Sequence, residues 1–84
     1  MNKEYILFNL GEAKEELDRT IHEIETNENY GYGKYVVAMS HLYHHINTAW
    51  NAREESKEAT NECSQADFER WQRFPNPGEL FLDA

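Results

Sequence analysis

One cysteine, two prolines and four glycines occur in these 84 residues, and no apolar run exceeds a handful of positions. Each shortage excludes something. With Cys63 as the lone thiol, an internal disulfide cannot form, which suits a reducing compartment and leads us to expect a cytoplasmic protein. The apolar runs fall far short of the roughly 20 residues that a helical membrane span requires. The segment Met1 to Phe8 has an acid beside its one base and a short apolar run, which is no secretory leader. Scarce glycine and proline, with 39% apolar and 13% aromatic residues, argue against a disordered or low-complexity chain.

Basic residues are also few. Eight lysines and arginines face sixteen acids, a formal net charge of −8, which opposes attraction to phosphate backbones and anionic lipid. Neither nucleic acid nor a membrane is an expected partner. The excess acid keeps a small protein in solution, and it favours encounter with a basic protein surface. Catalytic motifs are lacking too: there is no Cys-x-x-Cys pair, no glycine-rich phosphate loop and no local serine-hydrolase signature. Cys63 has no neighbour in sequence that would lower its pKa. The expectation is a protein that is not an enzyme and needs no cofactor.

What is present is helical periodicity over a single domain, 1–84. Leu10, Ala13, Leu17, Ile21 and Ile24 recur three and four apart, the stripe of an amphipathic helix. Asn9 with Glu12 three positions on forms a capping-box pattern, and Phe8 is placed to staple against Ala13, so the first helix is expected over 9–27. Asn27 to Gly33 contains two asparagines and two glycines, residues that tolerate left-handed backbone angles, and reads as a reversal. A second stripe follows in Tyr35, Met39, Leu42, Tyr43, Ile46, Ala49 and Trp50, giving a helix over 33–54. Glu54 to Glu62 is solvated, either a frayed extension or a loop. Ser64 and Asp67 make another capping box, which opens a short third helix over 64–74, ended by Pro75.

The fold class is therefore all-α: an antiparallel helical hairpin plus a short third helix. Two helices make a poor core by themselves. Phe68, Trp71, Phe74 and the apolar runs Tyr5 to Phe8 and Leu80 to Leu82 must cover the hairpin, or a second copy of the chain completes a four-helix bundle. Pro75 to Gly78 reads as a turn, and the two short apolar runs are expected to pack on the helices rather than pair as a ribbon.

Two groups of residues carry functional expectations. His41 and His45, four apart on one helix face, have the spacing by which two imidazoles hold one metal; with Leu42 after His41, the HExxH zinc motif is absent. Border histidines more commonly pack a ring and leave a nitrogen wet. The acids of the first helix, Glu12, Glu15, Glu16 and Asp18, find no matching carboxylate pair in the core-facing part of the second, and read as a solvated face. Tyr30 and Tyr32, interleaved with glycines, and Trp50 with Arg53 one turn on, have the composition of contact surfaces. The expected function is a small acidic interaction module that binds another protein, as inhibitors, antitoxins and immunity proteins do, with a homodimer as one form. The alternative is a metal-binding helical protein using His41 and His45. A third is a structural subunit of a larger complex.

Overall fold

The structure, a computed structural model, describes residues 1–74. It is all-helical over these residues, with α1 (Lys3–Thr26), α2 (Tyr32–Asn51), α3 (Lys57–Glu62) and α4 (Gln65–Trp71). The helices α1 and α2 form the expected hairpin, about 36 and 30 Å long at 1.5 Å per residue. The thin dimension of the molecule is 21 Å, two helix diameters, because α4 lies as a second layer against α2.

The first helix begins six residues before the expected Asn9. Asn2 is the true cap, its Oδ1 accepting from the Tyr5 N–H at 3.1 Å. Asn2 does more than cap: its amide donates to the Glu55 carbonyl and to Thr60 Oγ1, and its backbone N–H donates to the Arg53 carbonyl at 2.6 Å. One residue thus ties the start of α1 to the connection between α2 and α3. Asn9 instead sits buried within α1, its amide donating back to the Tyr5 carbonyl. Phe8 is exposed and stacks on Tyr5 rather than stapling to Ala13.

The reversal between α1 and α2 uses no left-handed glycine. Asn27 makes it, with extended backbone and an Oδ1 that accepts from the Asn29 N–H, so the expected reversal forms through an asparagine side chain rather than through left-handed backbone. The solvated stretch after α2 resolves into a turn and a six-residue helix, capped by Ser56 at the Ala59 N–H. That helix ends at Cys63, which is half-buried and left-handed with φ 42°. Ser64 caps α4 at the Asp67 N–H as expected, and α4 ends at Trp71, before Phe74. Tyr5 to Phe8 is helical. The expected turn at Pro75 to Gly78 and the run Leu80 to Leu82 lie outside the described residues.

The largest difference from expectation lies in the core. The seam between α1 and α2 is built from small or polar side chains: Asn9, Ala13 and Thr20 on one helix, Ala38, Thr48 and Ala49 on the other. Across it, His45 Nδ1 donates to Asn9 Oδ1 at 3.2 Å. Trp71, 1% exposed, is the one large side chain fully buried among the described residues. Its ring meets Tyr5 edge-on at 6.0 Å. Asn51 Nδ2 donates to the carbonyls of Trp71 and Arg73, and Asn47 Nδ2 to that of Gln72, so α2 holds the end of α4 by its backbone.

Candidate interaction face

The two expected apolar stripes do not meet as the core of the hairpin. Leu10, Leu17, Ile21 and Ile24 are each 45–51% exposed, with Tyr43 at 52% and Ile46 at 45%. The reason is angular. On α1 the seam residues Asn9, Ala13 and Thr20 share one direction, and the leucines and isoleucines lie roughly 70° around from it at 100° per residue. On α2 the seam runs through Ala38, His45 and Ala49, while Val36, Met39, Tyr43 and Ile46 lie about 110° to one side. Because the helices are antiparallel, both offsets turn toward the same face of the hairpin. At one end this is seen directly: Ile6 and Leu10 of α1 line a shallow groove with Ile46, Ala49 and Trp50 of α2.

The opposite face carries α4 and the polar groups. Tyr5 of α1 packs on Trp71, and His44 of α2 packs on Phe68 with ring centres 4.7 Å apart. Nearer the reversal, Glu16, Arg19, Glu23, Lys34 and His41 line a groove, with Arg19 paired to Glu16. Within the hairpin, charge is sorted by helix. From Tyr32 to Asn51, Lys34 is the only charged residue apart from three histidines, so α2 is nearly neutral all the way round.

The residues singled out in the sequence fall at the two ends of this face rather than in one cluster. Arg53 lies over the Trp50 ring at 3.8 Å and donates to the Trp50 carbonyl, closing one end. Tyr32, 82% exposed, starts the other, roughly 27 Å away along α2. Tyr30 is half-buried, and its hydroxyl is enclosed without a hydrogen-bond partner among the described residues. Between these ends lies the apolar surface that sequence reasoning had assigned to the chain's own core. A signal for it was present: a stripe on α1 wide enough for two partners, and an α2 with almost no charge on any side.

The histidines are partly committed. His45 holds Asn9, and His41 Nδ1 faces Glu16 Oε1 at 3.8 Å. His44 is sandwiched between His45 and Phe68 with its Nδ1 buried and without a hydrogen-bond partner among the described residues, and burial, reinforced by the neighbouring His45 and His41 charges, holds its pKa below the ordinary 6.5. Among the described residues no three His, Cys, Asp or Glu side chains converge as a metal would require. His22 is exposed on the outer side of α1. No described helix is long and apolar enough to cross a membrane. Compared with family models, with curated proteins and with solved structures, the chain matches none.

Proposed function

We propose that this chain is a small acidic protein-interaction module, acting in the cytoplasm by binding rather than by turnover, and that its contact surface is the apolar face of the α1–α2 hairpin. The observation that carries this is the half-exposure of leucine, isoleucine and tyrosine side chains turned toward one face of both helices, on a molecule whose formal charge is −8. A face of this extent exceeds the scattered apolar residues of an ordinary monomer surface. Tyrosine, tryptophan and arginine at its ends are the residue types that dominate binding energy in protein interfaces. The acids on the remaining surface of α1 would steer the module toward a basic protein, as expected of an inhibitor, antitoxin or immunity-like protein.

The test is photo-crosslinking in cells. A benzoylphenylalanine at position 43, in the middle of the face, is expected to give a discrete protein adduct, while one at position 22, on the outer side of α1, gives none. Equal labelling from both positions, or no adduct from position 43, would remove the assignment of this face as the contact surface.

A further inference from the structure

Granting that the apolar face is a contact surface, we infer that its occupant is a second copy of this chain, seated face to face so that two α1–α2 hairpins form a four-helix bundle. The periodicity of the face points to this. Tyr32, Val36, Met39, Tyr43, Ile46 and Trp50 of α2 are separated alternately by four and three positions, the heptad spacing of helices that pack at about 20°. On the neighbouring helix, Leu10, Leu17 and Ile24 of α1 follow one another at seven-residue intervals on the same face, the positions between them, Ala13 and Thr20, being those that face α2. Two adjacent helices with a common heptad face make one half of a bundle core. A two-fold rotation of the same chain supplies the other half with matched length and pattern.

Charge permits the pairing despite the like sign of the two molecules. Glu4, Glu12, Glu15, Glu16 and Glu23 of α1 lie more than 100° around from the face at 100° per residue, while Asp18, paired with Lys14, and Glu25 lie at its edge, where they stay in water when the centre is covered. The area also suffices. Eight side chains with roughly half or more of their surface exposed, Leu10 to Ile24 on α1 and Tyr32 to Ile46 on α2, present on the order of 800 Å² per copy, which is what one partner contributes to a standard stable interface. The chain's own residues 75–84 are a poor substitute. They bring one apolar triplet, Leu80 to Leu82, and leave the described structure beside α4, on the face opposite to the one that needs covering. Among the described residues the buried apolar side chains are four alanines and Trp71, a small core, and the radius of gyration, 14.7 Å, exceeds the roughly 12 Å of a compact domain of this length.

The experiment uses the full chain. Sedimentation equilibrium should give twice the 10.0 kDa chain mass at micromolar concentration, and Leu17→Glu should raise the dissociation constant at least ~100-fold by burying two unpaired carboxylates, whereas His22→Glu leaves it unchanged. Should Leu17→Glu lose its helices together with the dimer, isotope-filtered NMR on mixed labelled and unlabelled wild-type chains decides without any substitution. Contacts from the Leu10, Leu17 and Ile21 methyls of one copy to the other establish the face-to-face dimer. A dimer whose inter-copy contacts avoid those methyls overturns the inference, as does a wild-type monomer at 100 µM, roughly the upper end of weak specific association. In the monomeric case the crosslink from position 43 separates the two failures. An adduct to a different protein leaves the interaction module standing with another occupant, and no adduct removes both.

Discussion

His44 shows how a side chain between layers turns into a dependence on pH. Its ring is held against Phe68 and His45, its Nδ1 is enclosed without a hydrogen-bond partner among the described residues, and its folded pKa lies below the unfolded value of 6.5. In the window between those two values the unfolded chain binds more protons than the folded one. Stability contributed by the neutral ring is therefore full above about pH 6.5 and falls as the pH drops toward the folded pKa. Urea midpoints measured from pH 7.5 to 5.5 should decline, and His44→Gln should flatten that decline; an unchanged slope in the variant would assign it elsewhere. Helical phase puts His44 on the side of α2 away from the apolar stripe. What could not be read locally was that α4 covers that side, because Phe68 is 24 positions away in the chain.

At the scale of elements, α2 was the most legible piece and the beginning of α1 the least. Periodic apolar positions and the loop before them are local signals, whereas Asn2 caps α1 while bonded to Arg53, Glu55 and Thr60, more than fifty positions distant. Asn9 offered an equally good local capping pattern, and it lost because long-range bonds favour Asn2. The docking of α4 is likewise a long-range affair. Asn51 donates to two carbonyls at the end of α4 at 2.7 and 2.6 Å, groups that a helix terminus leaves without intrahelical partners. Asn51→Ala should cost about 1–3 kcal/mol in chemical denaturation and shift Trp71 emission to the red, read in a Trp50→Phe background. An Asn51→Ala chain with unaltered emission would show that Trp71 packing alone holds α4.

For the whole molecule, the decisive feature is where its large apolar side chains lie. A hairpin joined through alanine, threonine and asparagine gains little from its seam, since transfer from water scales with apolar area. On the proposed pairing, burial of the outer face in a second copy would add what the seam lacks, and folding and association would become one equilibrium. The melting temperature should accordingly rise with protein concentration, by about 4 °C for each tenfold increase, given the unfolding entropy of two chains of this length. Calorimetry over two decades of concentration checks this, and a constant melting temperature would mean that the monomer is the folding unit.

The amino-acid sequence by itself determined the helical class, the hairpin, the short helix opened by Ser64, and the two stripes at heptad-like spacing, because each depends on residues within a few positions of one another. It also carried the sorting of charge onto α1 and away from α2. Only the tertiary structure decided which direction each stripe faces. A stripe says which residues prefer to leave water, and the rotation of a helix about its own axis is set by the shape of its neighbour. Here the small side chains of Ala13, Ala38 and Ala49 and the bond between Asn9 and His45 turn the helices so that small residues meet. The leucines, isoleucines and tyrosines are left facing outward together.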